Sequence, residues 1–91
     1  MKVKRESGAR VKRVQTGMRI EVRLLKVLKS VAELHNMSLG DLIEGIALHA
    51  LEGTAPFSEI TLTRIAALKT VYGLTLTAKD AHCLVEEEDA T

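Results

Sequence analysis

The side chains with the clearest chemical potential in this 91-residue chain are cations, and they are concentrated near its start. Residues 1–29 contain ten Lys and Arg against two Glu, whereas residues 30–91 contain three basic and ten acidic residues. A basic segment attached to an acidic body is typical of proteins that bind a polyanion. The alternative interpretation is a solvated basic tail without a partner.

The three histidines and the single cysteine are the other residues with chemical potential. The separations of His35, His49, His82 and Cys83 match no standard metal-ligand spacing, so we expect surface histidines, a small buried cysteine and no metal site. We find no nucleophile–base pair, no paired carboxylates and no glycine-rich phosphate loop. The chain is therefore expected to be neither an enzyme nor a cofactor-binding protein.

The sequence also predicts a compartment. No apolar run reaches transmembrane length, and no apolar segment of signal-peptide type follows the first basic residues. A single cysteine cannot form an intramolecular disulfide, which suits a reducing compartment. We expect a cytoplasmic protein without membrane contact.

The cations are carried by two kinds of segment. Residues 1–13, MKVKRESGARVKR, lack periodicity and are interpreted as a flexible basic arm. In residues 14–24 apolar and polar side chains alternate: Val14, Met18, Ile20 and Val22 against Gln15, Arg19, Glu21 and Arg23. A period of two predicts a β-strand with one buried face.

The pattern becomes helical from about Arg23. The first predicted helix ends near Asn36, a residue that tolerates the left-handed conformation of a helix end. The sequence from Ser38 to Asp41 has the form of a capping box and starts a second helix, in which Asp41 reaches back. Gly53 ends that helix.

Residues 54–91 are predicted to form a C-terminal helical extension with an acidic tail. A third helix over residues 58–73 ends at Gly73, and Thr77–Asp80 opens a short fourth helix. The extension either enlarges the core or binds a second protein through residues 58–85.

A lone strand leaves two unpaired edges, and a second copy of the chain is the simplest partner for it. Two copies would form an antiparallel two-stranded β-ribbon, with the helices covering its apolar face. Such a ribbon fits the major groove of B-DNA. The alternative is an all-helical interaction domain in which residues 14–22 extend the first helix.

Residues 14–53 resemble the ribbon-helix-helix (MetJ/Arc) superfamily of dimeric DNA-binding proteins. The resemblance depends on the alternating strand, on LLKVLKSVAELHN and on the turn into MSLGDLI. It implies a mainly α fold with an intersubunit β-ribbon and makes residues 14–53 a ribbon-helix-helix domain. Glu21–Val22 offers no cap of the type usual in that family at the start of its first helix.

The resemblance also implies the DNA contacts. The outward strand positions fall on Gln15, Gly17 and Arg19, where Arg suits guanine and Gln suits adenine. A strand shifted by two residues would instead present Arg19, Glu21 and Arg23.

Phosphate contacts are expected from two places. The family's clamp, made by N–H groups at the start of its second helix, falls on Ser38, Leu39 and Gly40. The residues just before the strand add cations to the same surface: Arg10, Lys12 and Arg13.

Together these features predict a homodimeric, sequence-specific protein that binds double-stranded DNA, and a transcriptional repressor in particular. Assembly beyond the dimer stays open. The alternative is an antitoxin-like adaptor whose C-terminal helices bind a partner, with DNA binding secondary or lost.

Overall fold

Three α-helices make up the body of the protein in the computed structural model, which describes residues 8–87. Helix α1 spans Val22–Leu34, α2 spans Leu39–Leu51 and α3 spans Glu59–Tyr72. Helix α1 packs against both of the others. It is therefore the central element, and it carries much of the basic charge.

The predicted boundaries of these helices are confirmed, because local capping chemistry defines them. Ser38 Oγ accepts the N–H of Asp41 at the start of α2, and Ser58 Oγ accepts that of Thr61 at the start of α3. Asn36, Gly53 and Gly73 have positive φ angles of 55°, 75° and 67° where the helices end.

Helix α1 has a cap at its start, although the resemblance to the ribbon-helix-helix superfamily does not predict one. The Glu21 side chain accepts the N–H of Leu24 at 2.8 Å. A carboxylate at this position also interacts favourably with the positive end of the helix dipole. The expectation that Glu21–Val22 offers no cap is therefore wrong.

The predicted β-ribbon is wrong as well. Residues 9–20 form neither strand nor helix, and no residue between 8 and 87 lies in a β-strand. The alternation does not produce a buried face, because Val14 and Met18 are exposed. The backbone of an extended segment needs a neighbouring strand to pair with, and the rest of the described chain is helix, turn or loop.

The mainly α class is confirmed, but two other expectations need correction. Residues 14–22 do not extend the first helix, because α1 begins at Val22. The predicted fourth helix is only a three-residue 3-10 turn, Ala78–Asp80. Thr77 and Asp80 do form the reciprocal hydrogen bonds of a capping box there, whereas Ser38 alone caps α2 by its side chain.

The core is small. Five apolar residues are buried in the described part of the chain: Val27, Val31, Ala32, Leu42 and Leu74. Half-buried Leu28, Ile46, Phe57 and Ile65 pack around them. Because Leu74 belongs to the C-terminal extension, that extension shares one core with α1 and α2.

Candidate nucleic-acid interface

Residues 8–20, which we call the N-terminal segment, contain most of the predicted DNA-contacting side chains. The segment has no regular secondary structure and is exposed up to Ile20. Two of its arginines form ion pairs, Arg13 with Glu44 of α2 and Arg19 with Glu86 in the C-terminal extension. Charged contacts therefore link the segment to the rest of the chain.

Arg13 is bound to helix α2. Its Nε and Nη2 donate to the two carboxylate oxygens of Glu44, each at 2.8 Å, and Nη2 lies 3.8 Å from Asp41 Oδ1. This bidentate geometry is the one that arginine also uses with phosphate. The hydrogen bond from Arg13 lowers the pKa of Glu44, and Glu44 raises the pKa of Arg13.

Arg19 is bound to Glu86, which lies beyond α3 in the C-terminal extension. Its Nη2 donates to Glu86 Oε1 at 2.6 Å, and both side chains are largely exposed. Exposed ion pairs of this kind contribute only about 0–1 kcal/mol, so a competing anion displaces them readily. The predicted base-reading arginine is therefore available to a ligand at a small free-energy cost.

The other predicted contacts of this segment lie in solvent. Arg10, Lys12 and Gln15 are exposed, and no ion pair of theirs occurs between residues 8 and 87. A Cβ added to Gly17 would have nothing within 4 Å. The backbone at Gly17 is therefore open to close approach by a ligand.

The predicted phosphate clamp lies at the start of α2, where Ser38, Leu39 and Gly40 begin the helix. Arg13 lies close to this helix end, 3.8 Å from Asp41, whereas Arg19 is bonded to Glu86 in the C-terminal extension. Asp41 lies in the first turn of α2 and is the nearest acid to the clamp along the chain. A phosphate here would meet Asp41 and Glu44 unless Arg13 stayed between them and the ligand.

Sequence reasoning missed the role of Arg23, which was expected only as an outward residue of the shifted strand. Its Nε donates to Glu21 Oε2 at 2.9 Å and its Nη1 to the Gly73 carbonyl oxygen at 3.0 Å. The hydrogen bond from the Leu24 N–H, and after it that from Arg23, lowers the pKa of Glu21. The sequence predicts Gly73 as a helix end, but it does not predict the contact with Arg23, because the two residues lie 50 positions apart.

Two cavities lie on the helical body. The first, which we call the groove, has a volume of about 380 Å³ and is lined almost entirely by apolar side chains from α1, α3 and residues 74–84. The second, of about 340 Å³, lies between α2 and the start of α3 and includes His35 and His49. His35 Nε2 lies 3.4 Å from Thr61 Oγ1, which satisfies its ring nitrogen locally.

Metal binding finds no support in the part of the chain that the structure describes, where no three His, Cys, Asp or Glu side chains are placed to hold an ion. Cys83 is exposed, which corrects the expectation of a buried thiol. Among residues 8–87 no helix has the length and apolar character needed to cross a membrane. Comparison with protein-family models, curated proteins and solved structures finds no match to this chain.

Proposed function

We propose that this chain is a dimeric, cytoplasmic DNA-binding protein that represses transcription and contacts DNA through its basic N-terminal third. The observation that carries the proposal is charge: residues 8–29 hold seven cations and one acid, Glu21. Glu21 is occupied as the cap of α1. The net positive charge of this stretch is thus available to phosphates.

The surface has two parts with different duties. Arg10 and Lys12 on the N-terminal segment, together with Lys26 and Lys29 on α1, are exposed and would neutralise phosphates without reading sequence. Gln15 and Arg19 are the side chains suited to base edges. Gly17 lies between them and lets the backbone approach the duplex.

Binding in this scheme is an exchange of anions. The carboxylates of Glu44 and Glu86 hold Arg13 and Arg19 in the free protein, and DNA phosphates or base edges would replace them. Arg13 binds Glu44 with the fork geometry that arginine also uses with phosphate, so its exchange needs no new arrangement of the guanidinium. The released carboxylates would turn toward solvent.

The experiment is fluorescence anisotropy with two duplexes of equal length, one from the region upstream of the protein's own gene and one with the same bases scrambled. We expect tighter binding to the upstream duplex. Gln15→Ala/Arg19→Ala should remove that preference while leaving binding to the scrambled duplex nearly unchanged. Lys79→Ala, an exposed cation far along the chain, is the matched control. Equal binding of both duplexes by the parent protein would contradict sequence-specific recognition.

A second candidate function, a protein-interaction module acting through residues 58–85, is favoured by the outer face of α3. Ile60 and Val71 lie on that helix, and each is 71% exposed. We expect Ile60→Glu/Val71→Glu to abolish a complex with the co-expressed product of the neighbouring gene. Leu51→Glu on α2 serves as control. A complex that survives the α3 changes would exclude this surface.

A further inference from the structure

The N-terminal segment carries apolar side chains for which its own chain provides no cover. Val14 is 86% exposed and Met18 is 63% exposed, and Val11 is exposed as well. The segment is linked to the rest of its chain at two points, by Arg13 to Glu44 of α2 and by Arg19 to Glu86. An exposed apolar row on an anchored segment is typical of a surface that another molecule covers.

The groove is an apolar surface of the complementary kind. Leu24 and Leu28 of α1, Ile65 of α3, and Leu74, Leu76 and Leu84 of the C-terminal segment line it. Its volume of about 380 Å³ is enough for two or three apolar side chains. The N-terminal segment of the same chain leaves it open, since Arg13 leads that segment to α2.

The N-terminal segment and the residues just beyond the groove carry opposite charges. The N-terminal segment is basic, with Arg10, Lys12, Arg13 and Arg19 flanking its apolar residues. The groove wall contains one cation, Lys69, and one acid, Asp80, and Glu86 and Glu87 follow shortly after Leu84. The 2.6 Å ion pair between Arg19 and Glu86 shows that the base of the segment and the end of the groove attract each other.

We propose that two copies of the chain associate through their N-terminal segments, with Val14 and Met18 of each copy entering the groove of the other while Arg13 keeps its pair with Glu44 of its own chain. The association gives a twofold interface in which the same two surfaces are used twice. It specifies the dimer that the proposed function includes, but it does not depend on DNA binding. All tests below are therefore run without DNA.

The first experiment is analytical ultracentrifugation of the full chain and two variants. The parent protein should be a dimer, and Val14→Asp/Met18→Asp should raise the dimer dissociation constant at least about tenfold, because two apolar contacts are lost. Gln15→Asp/Thr16→Asp is the matched control, since it adds the same charge to polar positions of the same segment. All substituted residues are exposed, and circular dichroism should confirm unchanged helix content.

The second experiment locates the contact. A tagged chain carrying Val14→Cys is mixed with an untagged chain carrying Leu76→Cys, both in a Cys83→Ser background, and the mixture is oxidised. The proposal predicts a disulfide between the two different chains, well above the yield of a Leu48→Cys and Leu76→Cys pair. We expect a dimer dissociation constant of roughly micromolar. The proposal is overturned by a parent protein that is monomeric at about 100 μM, by a dimer that Val14→Asp/Met18→Asp leaves intact, or by equal cross-linking yields of the two cysteine pairs.

Discussion

Arg23 at the start of α1 is hydrogen-bonded to the carbonyl oxygen of Gly73 at the end of α3, with 3.0 Å between Nη1 and that oxygen. The same guanidinium donates to Glu21, whose other carboxylate oxygen caps α1. A cation thus lies at the negative end of one helix dipole and an anion at the positive end of another. This small network joins the start of α1 to the end of α3.

Arg23→Met should destabilise the fold, because it removes two charged hydrogen bonds while keeping the apolar stem. We expect a loss of about 1 kcal/mol in the free energy of unfolding, which lowers Tm by about 4–8 °C. Thermal denaturation followed by circular dichroism measures it. Lys26→Met, an exposed cation of the same helix, should leave Tm within about 1–2 °C of the parent value.

Gly73→Ala should also be destabilising, for a reason that concerns the backbone alone. Gly73 has φ of 67°, and a Cβ there meets nothing within 4 Å, so the cost is that of a left-handed conformation. We expect about 1 kcal/mol in urea denaturation. Gly17→Ala is the matched control, because that site is equally open and lacks a positive φ. Equal effects of the two substitutions would contradict this explanation.

Acid should weaken the fold partly through Glu21. Its pKa is lowered in the folded state by the Leu24 N–H and by Arg23. The stabilisation is therefore complete above the unfolded pKa of about 4.3 and is lost as pH falls through the lower folded value. Glu21→Gln should be less stable than the parent at pH 7. Because Gln does not titrate, the variant should lose less stability than the parent as the pH falls from about 5 to about 3. Glu33→Gln, in the last turn of the same helix, is the control.

Removing the carboxylates that hold the arginines should strengthen DNA binding. Glu44→Gln/Glu86→Gln removes the carboxylates that are bonded to Arg13 and Arg19, and because exposed pairs of this kind are weak, we expect a gain in affinity of about a few fold. Anisotropy with a short duplex at low salt measures it. Glu59→Gln changes net charge in the same direction without touching either arginine, so it separates a local effect from a general one.

The helices could be predicted because their signals are local. Ser38, Ser58, Gly53 and Gly73 each fix a helix end through bonds to the nearest turn or through a left-handed φ. The start of α1 is harder to predict, since Glu is an uncommon capping residue. The length of the last element was overestimated because a capping box starts a turn but does not sustain a helix.

The N-terminal segment could not be predicted in the same way. Alternation between residues 14 and 24 gives a strand only where a partner pairs with its backbone, and α1 takes over from Val22. Its actual anchors link residues 31 and 67 positions apart, Arg13 with Glu44 and Arg19 with Glu86. Contacts at such separations leave no mark on local periodicity.

The sharpest test of DNA binding is its dependence on salt. The logarithm of the association constant for a duplex should fall linearly with the logarithm of salt concentration, with a slope of about −0.9 for each phosphate contacted. Arg10→Ala/Lys12→Ala should make that slope less steep by about two, and Lys79→Ala should leave it unchanged. No binding at low salt, or the same slope in the double variant, would contradict the account.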